Sequence, residues 1–304
     1  MKVYYHILLL LAIVIPATAQ ANNHPIYITR DRGQHWEPAG TGLPADANIN
    51  AWTVHHTKVI VSIKSHGIYI SDDKLKSWAP ANIGLPKNVK IDALLSMGEL
   101  LLAGTFQHGI YISYNGGDSW LPASKGLGSM TVRCFYTNRN FVMAGTNDGV
   151  YYSYDKGQSW KPAFHNVQIN EFTSLQGILF AATNAGIYQS RDGGLSWTTA
   201  GTNHGASSSI TADGDKVVFT LNGGRTYVSS DMGATWLDAY PFFDQYTFRI
   251  TPKSTRILIA PWRNALDIYY YLQLTGSNGL PDNVPFTRLL ETPYGTLTAM
   301  GGGC

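Results

Sequence analysis

Seven polar residues, Asn50, Asp92, Arg133, Asn170, Ser209, Arg249 and Arg288, recur at roughly forty-residue spacing, each near the start of a short alternating apolar run. Glu171 stands beside Asn170. Three Arg and two acids drawn to one place suit two chemistries. Guanidinium forks bind carboxylates or phosphates through paired hydrogen bonds. An Asp–Glu pair such as Asp92 and Glu171 supplies the acid and base that glycoside hydrolysis requires. The plainer reading is a wet channel whose polar side chains pair with one another, as Asp92 with Arg133. A second set, His24, His66 and His108, precedes matched Pro/Gly-Ile-Tyr tetrads and belongs on neighbouring loops, a rim suited to sugar or peptide. Descent from a common repeat accounts for the same match. No metal is expected there, because equivalent loops of adjacent units stand too far apart to share an ion at ~2 Å. Trp262 is expected near the same face, as a packing residue or a platform for a sugar ring.

What positions these residues is a repeated phrase ending in Trp, at Trp36, Trp78, Trp120, Trp160, Trp197 and Trp236, with gaps of 42, 42, 40, 37 and 39 residues. Each phrase is a version of S/T-x-D-x-G-x-S/T-W, with Asp31, Asp73, Asn115, Asp155, Asp192 and Asp231 at its third place. Such a phrase suits the turn between two strands. The acid accepts hydrogen bonds from backbone N–H groups of its own turn, and the hydroxyls do likewise. Gly at the fifth place supplies a left-handed conformation, and the Trp is large enough to wedge between neighbouring sheets. Leu75 stands where that Gly is expected, at a cost of about 1 kcal/mol, which predicts a distorted second turn. His35 replaces the usual Ser or Thr of the first turn.

These phrases resemble Asp-boxes, the repeat of bacterial neuraminidases. Similar repeats occur in sortilin-type receptor domains, in xyloglucanases and in the photosystem II stability and assembly factor family. The resemblance covers nearly the whole chain after its first residues and implies an all-β fold, a β-propeller of four-stranded antiparallel blades. It also implies that the boxes lie on the face away from the functional funnel and serve folding. The same scaffold carries hydrolases, receptors and assembly factors, so the activity is left open. Phe248-Arg249-Ile250-Thr251-Pro252 resembles the first arginine motif of sialidases, with Thr251 inserted. In sialidases that motif precedes the boxes, whereas here it follows all six. Regular repeats with short loops fit a binding scaffold better than an enzyme, whose pocket must exclude water and orient substrate. The reading is therefore a non-catalytic propeller that binds a protein or glycan, which Arg133, Arg249 and Arg288 would make anionic. Asn50, Asn170, His66, His108 and Trp262 are further ligand candidates. The alternative is a sialidase-like hydrolase using Asp92 and Glu171.

Six phrases do not mean six blades. Residues 246–284 carry a seventh repeat without its box, 286–301 hold only two strand-like pieces, and the N-terminal portion starts at the third strand of a blade with His24-Pro25-Ile26-Tyr27. A composite blade is expected to close the ring, its inner pair from the C-terminus and its outer pair from the N-terminus. Seven blades at about 41 residues each account for residues 20–304 as one domain.

Residues 1–19 read as a cleaved signal peptide, with Lys2, an apolar run from Ile7 to Ile15 and Ala17-Thr18-Ala19 as the small-residue site. A secreted or periplasmic protein without a stable membrane anchor follows. Cys134 and Cys304 fall in the fourth and first blades, too far apart to pair, which leaves Cys134 as a small core residue. With 14% charged residues and a net charge of +2, no broad basic surface for nucleic acid exists. No cofactor is implied, and a monomer is expected.

Overall fold

The computed structural model describes residues 24–31, 35–138, 141–222, 225–238, 249–251, 258–260 and 286–300. The signal peptide expected over 1–19, together with Trp262 and Cys304, lies outside the described residues. Among the described residues the chain is all β, arranged as six four-stranded antiparallel sheets and one two-stranded pair, Arg249–Thr251 with Leu258–Ala260.

The third sheet shows the plan: inner strand Ile91–Met97, then Leu100–Thr105, Ile110–Ser113 and the short outer strand Leu121–Pro122. The second strand is buried nearly throughout in Lys58–Ile63 and Ile178–Thr183, because it is covered on both faces by neighbouring sheets. The core therefore lies between sheets. One cluster joins Ile60 and Ile68 of the second sheet to Ile91, Leu101, Ala103 and Trp120 of the third.

Inner strands succeed one another side by side. Ile49–His55 lies against Ile91–Met97, that strand against Val132–Thr137, and so on through Ile169–Leu175 and Ser207–Asp213. Arg249–Thr251 lies against both Ser207–Asp213 and Phe286–Thr292, and Phe286–Thr292 touches Ile49–His55. The sheet of lowest residue number is made from both ends of the described chain. Its order is Glu37–Pro38, Ile26–Thr29, Gly295–Met300, Phe286–Thr292, with Tyr27 opposite Thr298.

The signature turns hold by the bonds their residue types allow. In the fourth sheet Asp155 Oδ1 accepts from the Ser153 hydroxyl at 2.7 Å and the Ser159 N–H at 2.9 Å, Asp155 Oδ2 accepts from the Ser159 hydroxyl, and the Gly157 N–H donates to Ser153 Oγ. Asp73, Asp192 and Asp231 repeat this set. Asn115 keeps it with an amide, its Nδ2 donating to Ser119 Oγ at 2.9 Å. His35 takes the hydroxyl's place through Nδ1 at 2.5 Å from Asp31 Oδ2.

The expected distortion at Leu75 does not occur. Leu75 adopts φ 69°, yet its N–H bonds Ser71 Oγ at 3.1 Å and every Asp73 bond is kept. Its side chain is buried beside Trp78, and burying a Leu is worth about 1.5–3 kcal/mol, enough to offset the backbone cost. The turn also needs a left-handed residue at its fourth place, which Lys74, Lys156 and Met232 supply without being Gly.

The closing Trp bolts one sheet to the preceding one. The indole N–H of Trp78, Trp120, Trp160 and Trp236 donates to Ala39, Ala81, Ala123 and Ala200 O at 2.6, 3.0, 2.9 and 2.8 Å. The backbone N–H of Trp78, Trp120 and Trp160 adds bonds to Thr41, Ile83 and Lys125 O. This approach explains the glycine of the boundary motif: a Cβ on Gly84, at φ 89°, would stand 2.0 Å from Trp120 O. Trp197 departs from the pattern and donates to Gly194 O of its own turn.

Candidate functional site

The inner strand of each four-stranded sheet carries one extra residue near its start. The pairing register shifts between Ile49 and Ala51, Ile91 and Ala93, Val132 and Cys134, Ile169 and Glu171, Ser207 and Ser209, and Phe286 and Arg288. These are β-bulges, which leave a residue unpaired and re-aim its side chain. The bulged residues are Asn50, Asp92, Arg133, Asn170, Ser208 and Thr287. Two sequence matches are thereby corrected. Ser209 and Arg288 stand one place further along, in register with Ala51, Ala93, Cys134 and Glu171. The cause lies in the second strands. Thr105, Thr146 and Thr183 pair with the residue before the bulge, whereas Leu221 and Met300 occupy that place in the sixth and first sheets. Without that Thr the two repeats are matched one residue out, and one residue along a strand is a change of face. Arg249 lies in the two-stranded pair, opposite Ala260. Arg288 therefore does not share the bulged place of Arg133.

Antiparallel order puts the bulges, together with the loops between second and third strands, at one end of every sheet, here called the upper face. The signature turns lie at the other end, beside the hairpins that follow the inner strands. Lys58 of such a hairpin reaches Asp118 of the third sheet's signature turn at 3.6 Å. Asp31, Asp73, Asn115, Asp155, Asp192 and Asp231 thus stand away from the bulges.

The structure brings Arg133 and Asn170 together. Arg133 Nε–H donates to Asn170 Oδ1 at 3.0 Å, Gln168 Nε2–H donates to the same oxygen at 2.8 Å, and Asn170 Nδ2–H donates to Ser207 O at 2.7 Å. Three consecutive sheets are joined by this chain. Among the described residues none engages the two Nη groups of the half-buried Arg133. Asp92 does not pair with Arg133 as expected. Its carboxylate, 16% exposed, lies 3.1 Å from Lys90 Nζ, and the ammonium stands 5.4 Å from the ring centre of Phe106. Lys90 is two residues along the same strand entry, so the nearer cation takes the acid. Glu171 is turned to the next sheet, where its Oε2 accepts from the Ile210 N–H at 3.0 Å. Thr173 does the same for the Ala212 N–H. Asn50 is half-buried at its bulge.

The upper-face histidines do not converge. His66 Nε2 lies 3.2 Å from Asp46, and this bond holds the Asp46 carboxyl below the usual range. His108 Nδ1 meets Phe106 O at 3.1 Å, and His24 stacks edge-on to Tyr27. Among the described residues no three His, Cys, Asp or Glu are grouped to hold a metal ion. His55 is buried with Nδ1 2.9 Å from Ser96 Oγ, and burial lowers its pKa. Cys134 is a free thiol packed among core residues, and burial pushes its pKa up.

Sequence reasoning missed the bulges, Gln168 and Lys90. The repeated Ile/Val-polar-Ala/Cys/Glu triplets at 49–51, 91–93, 132–134 and 169–171 carry the signal for the bulges.

No family model matches the chain, and none of the curated proteins is similar to it. Solved structures are similar in fold. YCF48 bound to D1 peptide is 13% identical, over 84% of this chain and 94% of that one, with a TM-score of 0.62. The GH74 xyloglucanase from Xanthomonas campestris is 15% identical over 92% of this chain and 55% of that one, at TM-score 0.62, so this chain spans about half its length. BamB from Moraxella catarrhalis is 12% identical over 84% and 83%, at TM-score 0.55. These neighbours are β-propellers, and at such identities the likeness shows that fold alone.

Proposed function

We propose that the chain is a seven-bladed Asp-box propeller, secreted or periplasmic, that binds a protein or glycan through its upper face without catalysis. Arg133 is the anchor for an anionic group of that ligand. The pair Arg249–Thr251 and Leu258–Ala260 is read as the inner half of the seventh blade, and the sheet shared by both chain ends as the closure.

One observation carries the functional reading: the arginine is presented and the acids are occupied. Asn170 fixes Arg133 through Nε, leaving its Nη fork directed at no described residue. Asp92 is neutralised by Lys90, and Glu171 holds a backbone N–H of the adjacent strand. A sialidase-like hydrolase with Asp92 and Glu171 as acid and base would have to break both arrangements. The fold neighbours include YCF48 bound to a peptide as well as GH74 enzymes, so the scaffold is compatible with either class.

The test uses the purified chain on arrays of acidic and neutral peptides and oligosaccharides, together with sialyl and neutral glycoside substrates. Retention of carboxylate-bearing ligands that falls about tenfold or more in Arg133→Ala supports the reading. Turnover of a glycoside, lost in Asp92→Asn or Glu171→Gln, overturns it.

A further inference from the structure

The outermost strands differ in one respect that bears on association. In the first four sheets the second residue of that strand is Pro: Pro38, Pro80, Pro122 and Pro162, each opposite a Tyr of the third strand. In the fifth sheet the same place, opposite Tyr188, is Thr199. The Ala200 N–H donates inward to Ile187 O at 2.9 Å, which sets the phase of this strand. Backbone polar groups of successive residues point to opposite sides of a strand, so both the N–H and the C=O of Thr199 face outward. Thr198 and Thr199 are exposed. Proline on an edge removes the outward donor and blocks strand addition, a device against edge-to-edge pairing. Four sheets use it. The fifth and sixth do not.

We propose that the outer edge of the fifth sheet is a self-association site, where Thr199 pairs across a twofold axis with Thr199 of a second copy of the chain. A residue whose N–H and C=O both face outward exchanges two hydrogen bonds with its symmetry mate, the close pair of an antiparallel ladder. The side chains are uncharged, and Thr opposite Thr is a favourable cross-strand pair. The sixth sheet offers no competing edge of this kind, because its outer residues are Leu237 and Asp238, and Asp238 opposite its own copy would set like charges together. A twofold contact uses the same edge on both copies, so association through it stops at a closed dimer. The contact is small, so the equilibrium is weak and set by concentration, in place of the monomer expected from sequence. This inference is independent of the ligand reading above.

The experiment is sedimentation velocity of the full chain over a concentration series, with Thr199→Pro, Thr199→Asp and Thr199→Val alongside. Pro and Asp are native at the equivalent place in other sheets, so circular dichroism and melting should be unchanged. The wild type and Thr199→Val should move from monomer to dimer with concentration. Thr199→Pro loses both exchanged bonds and should dimerise about thirtyfold more weakly, and Thr199→Asp should stay monomeric. If the Pro variant does not fold, the Asp variant decides alone. A wild type that stays monomeric up to its solubility limit overturns the proposal, as does a dimer that survives in Thr199→Asp.

Discussion

Arg133 of the fourth sheet and Asn170 of the fifth occupy the same bulged place in consecutive inner strands, and the guanidinium Nε–H donates to the amide oxygen at 3.0 Å. The bond turns a repeat position into a positioned cation. Because Asn170 also takes up Gln168 and donates to Ser207 O, it is the node of the upper-face network.

Asn170→Ala should therefore cost more stability than Arg133→Ala. The first leaves Arg133 Nε, Gln168 Nε2 and Ser207 O without their partner, at about 1–3 kcal/mol, while the second frees a single acceptor. Urea unfolding at neutral pH, read as the midpoint with an unchanged slope, checks the order.

Trp120→Phe should destabilise the chain by about 1–3 kcal/mol, since Ala81 O loses its indole donor in a buried seam. Gly84→Ala should be at least as harmful. Its Cβ would fall 2.0 Å from Trp120 O, at a backbone angle that L residues rarely adopt. Thermal melts of the two single variants measure the same seam from either side, and the double variant should lose less than their sum.

Acid should weaken the fold through the signature turns. Bonds from His35 hold Asp31 at about 2, bonds from Ser77 and Ser71 hold Asp73 there, and those from Ser196 and from Thr235 do the same for Asp192 and Asp231. Burial acts upward on Asp155 but is outweighed by Ser159 and Ser153, leaving it at about 2 as well. Folded values below the ordinary 3.8 stabilise the native state above pH 3.8, and that contribution is lost as pH falls through 3.8 towards 2. Denaturation midpoints measured from pH 6 to pH 2 should fall in that window. Asp155→Asn should lessen the fall, because the turn at Asn115 shows that an amide sustains the same bonds without titrating.

Leu75→Gly should destabilise, although it relieves a left-handed Leu. About 1 kcal/mol of backbone cost is recovered and about 1.5–3 kcal/mol of burial is given up. A melting temperature that rises would show that the turn, and not the core beside Trp78, governs this position.

The spacing of six Trp residues and the S/T-x-D-x-G-x-S/T-W phrase determined by themselves that the chain makes repeated four-stranded sheets, because local turn bonds and period-two burial are written in adjacent residues. Pairing of the first described strand with the last was likewise legible, since each terminal piece lacks the half that the other supplies. Tertiary structure alone decided the site. A bulge is a mismatch between two strands, invisible in either one, and it moved Arg288 a place away from Arg133. Which cation meets Asp92, and whether Glu171 faces a ligand or a neighbouring backbone, depends on how adjacent sheets are rotated against each other. That rotation is set by packing between residues some forty positions apart, which no local pattern records.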